Sequence, residues 1–234
     1  MAINIDTVYQ RVLAIANKEQ RGYITPQEFN LFANQSQFDI FENYFFKLSA
    51  IEFAQKNDSE YNDIKKLTLE KIAPFDNLHQ DMSAVSGQTA TLPTNVYRLG
   101  TVFYNDSSKS IKVENVDTGE IEFINQVPLA KPTVKHPVYT RKNATQIVLY
   151  PSSVSPAYST STLNCHYISR PADVSWNYTE INGAALYNSA SSVDFELHES
   201  EENTLVMKIL ALAGINIKDP QLMQVAMAKE AQTK

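Results

Sequence analysis

Four histidines, one cysteine and a few paired carboxylates are the residues of this chain that could do chemistry. His79, His136, His166 and His198 stand far apart, in neither H-x-x-x-H nor H-E-x-x-H spacing, so no zinc site is expected. Cys165, the sole cysteine, forbids an intramolecular disulfide and any multi-cysteine metal site, and fits a reducing compartment. It adjoins His166 in a predicted strand, where neighbouring side chains point to opposite faces and cannot serve as nucleophile and base. A buried structural cysteine is the expectation.

The pairs Glu120 with Glu122 and Glu201 with Glu202 sit in a predicted turn-flanking strand and at a helix start, and read as solvated faces or caps rather than general acid and base. The chain contains no G-x-S-x-G, no G-x-x-x-x-G-K-[ST] and no G-x-G-x-x-G, and its 6 glycines leave few places for a phosphate cradle. No catalytic, cofactor-binding or metal-binding residue is assigned, and no enzymatic activity is expected.

The elements that would position any site are those of an ordinary globular chain. Of 234 residues, 43% are hydrophobic and 20% charged, enough to bury roughly 70% of the unfolded surface. No apolar run is long enough to span a bilayer, and the first residues lack the basic and apolar regions of a signal peptide, so no membrane partner is expected. The net charge is −6, and no basic run exceeds two residues, so sequence-nonspecific phosphate binding has no electrostatic source and no grip on nucleic acid is expected.

Pro, Thr, Val and Tyr concentrate in the middle of the chain, whereas the flanks hold long stretches without Pro or Gly. This predicts an α+β fold with an N-terminal helical region (1–90), a central antiparallel β-rich region (91–190) and a C-terminal helical arm (191–234). In the first region Ile5, Val8, Val12 and Ile15 form one helical stripe. Thr25-Pro26-Gln27-Glu28 then combines an N-cap hydroxyl, a first-turn proline and an N3 carboxylate, a strong helix start.

The helix it opens runs to about Lys56, with Phe29, Phe32, Ser36, Ile40, Tyr44, Leu48 and Ile51 recurring at i+3 or i+4, and Phe41 and Phe45 widening the stripe. A third helix is predicted from about Glu60 to Pro74 with Ile64, Leu67 and Ile72 inward, and residues 76–92 read as linker. Period-2 patterning predicts strands at 95–104, 138–141, 146–150, 163–170 and 174–178, and a hairpin turning at Asp117-Thr118-Gly119 between Ile111/Val113 and Ile121/Phe123. No helical stretch of crossover length separates them, so a parallel βαβ sheet is excluded and antiparallel pairing is expected.

The polar loop from Pro151 to Thr162 is long enough to be a contact loop. Asp194, Glu196, Glu199, Glu201 and Glu202 precede Leu205, Ile209 and Leu212, where negative charge suits a helix N-terminus, and Gly214 is placed to close that helix. A last short helix after Asp219-Pro220 bears Leu222, Met223 and Met227, an apolar face too small to be stable alone, which makes these three the candidate partner-binding residues.

The opening Ile5-Asp6-Thr7-Val8-Tyr9-Gln10 and the run Ala14-Ile15-Ala16-Asn17-Lys18-Glu19-Gln20-Arg21-Gly22-Tyr23-Ile24-Thr25-Pro26-Gln27-Glu28-Phe29-Asn30 resemble the N-terminal signature of virion structural proteins from tailed bacteriophages, especially crAss-like phages. Pro137-Val138-Tyr139-Thr140-Arg141, Ile147-Val148-Leu149-Tyr150-Pro151, Tyr167-Ile168-Ser169-Arg170-Pro171 before Trp176, and Leu197-His198-Glu199-Ser200-Glu201-Glu202 look like other segments of the same family.

The resemblance implies a ring or adaptor subunit below the portal protein, present as twelve copies and joining head to tail, with DNA passing through its channel without specific binding. It implies no catalytic residues. Its expected partners are copies of itself, the portal and other tail ring proteins, in a virion assembled in the host cytoplasm. A tail-tube, nozzle or head-closure protein is the alternative within the virion, and a tail-associated hydrolase is the alternative outside that class. In this reading the segment from Asp219 to Lys234 reaches onto the portal or a neighbour, and the acidic excess keeps DNA from sticking.

Overall fold

The computed structural model describes residues 3–18, 24–53, 59–106, 109–154, 156–181, 184–216 and 228. Its elements are α1 (Ile5–Lys18), α2 (Pro26–Phe53), α3 (Ser59–Ile72), β1 (Asp76–Asp81), β2 (Ala84–Ser86), β3 (Thr89–Thr91), β4 (Val96–Asp106), β5 (Lys109–Asn115), α4 (Glu120–Gln126), β6 (Val138–Arg141), β7 (Gln146–Tyr150), β8 (Leu163–Ser169), β9 (Tyr178–Ile181), β10 (Ala184–Tyr187) and α5 (Glu202–Asn216). The fold is α+β, as expected. It divides into a helical unit, residues 1–74 with 171–234, and a β unit, residues 75–170.

In the helical unit, α2 starts as its sequence dictates. The Glu28 carboxylate accepts from the Thr25 backbone N–H (3.0 Å) and hydroxyl (2.9 Å), while the Thr25 hydroxyl oxygen accepts from the Glu28 N–H (3.3 Å), a closed capping box. Phe29, Ser36, Ile40, Phe41, Tyr44 and Phe45 are buried, and α2 packs on α3 and α5. On α1 the buried stripe is Ile5, Val8, Tyr9, Val12 and Ala16, and Ile15 faces out. On α3 only Ile72 of the three expected apolar residues is buried, since Ile64 and Leu67 lie about half exposed. Gly214 falls inside α5 rather than beyond its end, because the apolar run through Leu210, Ala211 and Ala213 keeps packing.

The acidic stretch before α5 does more than suit a helix dipole. Asp194 Oδ1 accepts from the Ile5 N–H (2.8 Å), Glu196 Oε2 from the Ala172 N–H (3.0 Å), Glu201 pairs with Lys71 (2.5 Å) and Glu202 with Arg11 (3.0 Å). Four of the five carboxylates thus tie this stretch to its surroundings, Asp194 and Glu202 to α1, Glu196 to the Ala172 backbone and Glu201 to α3. Residues 174–178 do not form the expected strand. Beyond the single bridge Ser175–Val193, this stretch lies extended against polar side chains of α2, and β9 begins only at Tyr178, pairing antiparallel with β10.

In the β unit, residues 76–92 are not a linker. They form β1, β2 and β3, strands too short and polar to show alternation. The sheet order is β1-β8-β4-β5-β6-β7-β3-β2, with β1 and β2 at opposite edges although only Met82 and Ser83 separate them in sequence. Met82 N–H bonds Leu163 O of β8 (3.3 Å) and Ser83 N–H bonds Thr91 O of β3 (2.9 Å), so one continuous segment bridges the two ends of the sheet and curls it into a barrel. Inward residues alternate along each strand: Val102 and Tyr104 on β4, Leu163, Cys165 and Tyr167 on β8, Ile147 and Leu149 on β7.

Gly87 (φ 59°) makes the two-residue β2–β3 turn. At Gly100, a Cβ would come within 3.0 Å of His166 O, so glycine permits the close approach of β4 to β8. All ladders are antiparallel except β5 with β6, where Glu114 and Asn115 pair in parallel with Val138 and Tyr139. The crossover between them carries α4, which replaces the expected hairpin at Asp117-Thr118-Gly119; the hairpin of this region instead joins β4 to β5. Asp117 O accepts from the Glu120 and Ile121 N–H groups, starting the helix, and Ile121 is its one buried residue.

Candidate interaction surfaces

The residues with chemical potential fall in separate places. Cys165 lies wholly buried in the barrel, and burial pushes its thiol pKa up to about 11, which suppresses the thiolate a nucleophile would need. His166 is on the other side of β8, where its ring meets His79 edge to face (centroids 4.5 Å) and Phe103 (4.8 Å). His79 holds φ 52°, an unfavourable backbone for a non-glycine residue, at the β1 irregularity between Asn77 and Gln80.

His136 closes a tight turn with Thr133 through paired backbone bonds, and His198 Nδ1 accepts from the Ser200 N–H (3.2 Å) at the 3-10 turn before α5. Among the described residues no three metal-ligating side chains gather. Nor do the carboxylate pairs form an acid and base: Glu120 and Glu122 are in the exposed first turn of α4, a correction of the strand placement, and Glu201 and Glu202 are each held by a cation.

One buried polar cluster lies in the helical unit. The Lys71–Glu201 pair is mostly shielded, and the Tyr44 hydroxyl nearby is buried without a hydrogen-bond partner, its pKa pushed up by burial and then by the Glu201 charge. This arrangement keeps the phenol neutral and holds the two charges in a closed pair.

The Pro151–Thr162 loop is more integrated than a mobile contact loop. Tyr158 plugs the barrel against Tyr104 (centroids 5.4 Å), and Tyr104 donates its hydroxyl hydrogen to Pro156 O (2.5 Å). Burial pushes the Tyr158 pKa up to about 12. Beside it lies a cavity of about 520 Å³ lined by Asn105, Asp106, Lys109, Ser110, Pro156, Ser161 and Thr162. Small hydroxyls with one acid and one base form an open polar recess, without a convergent reactive group.

Apolar side chains facing solvent are the more informative feature. On α2, Leu31 and Phe46 are exposed, and at 100° per residue they lie about 60° apart around the helix and about 22 Å apart along it, opposite the buried stripe. On the α4 crossover Phe123, Val127 and Leu129 are 72%, 48% and 98% exposed. Sequence reasoning missed the second group because Ile121 and Phe123 fit a period of 2 as well as a short helix; the signal available was Val127, four residues after Phe123. The predicted partner-binding residues Leu222, Met223 and Met227 lie outside the described residues. No described helix is long and apolar enough to cross a membrane. Compared with known families and curated proteins, the chain matches no family model and no curated sequence.

Proposed function

We propose that the chain is a virion structural protein of a tailed bacteriophage, a ring or adaptor subunit that joins the portal to the tail and forms part of the DNA channel. The observation that carries this reading is the presence, in both units, of apolar side chains directed at solvent: Leu31 and Phe46 on α2, and Phe123, Val127 and Leu129 on the α4 crossover. Large apolar side chains grouped on a surface, as Phe123, Val127 and Leu129 are on the crossover, mark contact sites. A closed ring requires two different faces on each subunit plus axial faces for the rings above and below, and distinct patches on distinct elements meet that requirement. The sequence likeness to virion proteins of crAss-like phages, spread from Ile5 to Glu202, supports the same reading.

On this reading the partners are twelve copies of the chain, the portal and other tail ring proteins, and DNA passes without specific contacts. The test mixes the purified chain with portal protein and looks for a ring by negative-stain imaging and native mass. A twelvefold ring seated on the portal is expected, together with the chain's presence in purified infectious particles. Its absence from those particles would overturn the reading.

A further inference from the structure

His79 and His166, far apart in sequence, meet in the β unit, and neither is among the residues that the virion reading uses. On β1, Asn77 pairs with Tyr167 and Gln80 with Cys165, so Leu78 and His79 together oppose His166 alone. The extra residue is a β-bulge, a device that re-aims a side chain. His79 occupies it at φ 52°, a left-handed conformation that glycine or asparagine takes at less cost. A bulge by itself guards a sheet edge and needs no histidine. The histidine adds a contact: its exposed ring lies 4.5 Å from that of His166, centroid to centroid, with the planes at 83°.

His166 carries a second anomaly. Its Nε2 is buried without a hydrogen-bond partner, a condition that calls for a specific cause such as an ion. The spacing of the rings fits that cause. With metal–nitrogen bonds of about 2.1 Å, two imidazoles bound at 90° on one ion hold their centroids about 4.5 Å apart, and at the tetrahedral angle about 5.2 Å. Phe103 packs on both rings, 5.8 Å from His79 and 4.8 Å from His166, and backs the pair with an apolar wall.

We infer that His79 and His166 form a two-imidazole site for a divalent nickel or copper ion, with water completing the coordination. Imidazole suits these ions, and their tetragonal geometry sets neighbouring ligands at 90°. His166 Nε2 then gains the partner it lacks, and the strained backbone of His79 brings the second nitrogen to the same point. The exposed His79 ring is the side from which the ion enters. Among the described residues no third metal-ligating side chain joins them, so the ion is bound reversibly. The site stands or falls independently of the virion reading.

Isothermal titration of the untagged full chain with nickel chloride tests it. One ion per chain is expected, with a Kd on the order of 10 μM. His79→Gly, whose backbone suits φ 52°, and His166→Gln each weaken binding at least about tenfold while the circular dichroism stays unchanged. His136→Ala, which removes a side chain from a turn closed by backbone bonds, leaves binding as it was. With copper, electron paramagnetic resonance shows coupling to two imidazole nitrogens in the wild type and to one in His79→Gly. No nickel binding below about 1 mM, binding that survives His79→Gly, loss of binding in His136→Ala, or a copper spectrum without two nitrogens would overturn the proposal.

Discussion

The Asn34 side chain closes a two-way hydrogen-bonded pair with the backbone of Val174: its Nδ2 donates to Val174 O (2.9 Å) and its Oδ1 accepts from Val174 N–H (2.7 Å). Asn30 makes the same pair with Trp176 (3.2 and 2.7 Å), and Gln37 Nε2 donates to Ala172 O (2.7 Å). Positions 30 and 34 are one helical step of about 6.0 Å apart, and residues 174 and 176 one strand repeat of about 6.6 Å, so the two periods nearly match. The polar face of α2 thereby substitutes for a neighbouring strand. Gln37 completes only half of the pattern, because the Ala172 N–H is taken by Glu196 (3.0 Å), and Gln37 Oε1 is left without a partner.

Asn34→Ala strands both the N–H and the C=O of Val174, and is expected to lower stability by about 2 kcal/mol. Asn34→Asp, which keeps the acceptor but loses the donor, falls between Ala and wild type. Urea unfolding followed by circular dichroism measures both, and equal losses for Ala and Asp would contradict the two-way pair.

The Lys71–Glu201 pair predicts non-additive energetics. Lys71→Met or Glu201→Met alone leaves a shielded charge unmatched and costs about 3 kcal/mol, whereas K71M/E201M together lie within about 1 kcal/mol of wild type. A double-mutant cycle in urea reads the coupling, and additive single losses would contradict the shielded pair.

Alkaline pH should destabilise the barrel in a defined window. The Cys165 pKa is raised by burial from 9.0 to about 11. Its contribution is therefore fully present below pH 9, where the thiol is neutral folded or unfolded, and is lost as pH rises toward 11, where only the unfolded chain ionises. Burial raises Tyr104, Tyr139, Tyr158 and Tyr167 in the same direction, which extends the loss to higher pH. Thermal melts from pH 8 to 11 should fall, and less steeply for Cys165→Ala. The native thiol should also react with a disulfide reagent at pH 8 only as fast as the chain unfolds.

Tyr104→Phe keeps the ring against Tyr158 and removes the bond to Pro156 O. A loss of about 1 kcal/mol is expected, with faster subtilisin cleavage inside residues 151–162, seen by mass spectrometry of the fragments. Unchanged cleavage would show that ring packing alone holds the loop.

What could be read in advance was local. The Thr25–Glu28 box, the stripe of α2 and the strands Val138–Arg141 and Gln146–Tyr150 all carry their signals within a few residues, and all stand where the patterns put them. What stayed hidden was set by partners distant in sequence. Residues 76–91 are strands because β8 and β7 supply their ladders, not because of their own composition. Residues 174–176 are held by Asn30 and Asn34, 146 and 140 positions away. The exposed crossover was illegible for the opposite reason: only Ile121 of α4 is buried, so apolar residues that ordinarily report a core here report a surface.

The β unit enters the chain at Asp76 and leaves near Ile168, and these two residues are direct partners across the β1–β8 ladder. An eight-stranded module whose two ends emerge side by side behaves as a cassette. It interrupts the host sequence between Pro74 and Pro171 with its entry and exit almost coincident, so lengthening its loops or exchanging it whole leaves the spacing of the severed host ends nearly constant. Evolution and protein engineering alike gain a position where one body can be swapped while the other keeps its own connectivity.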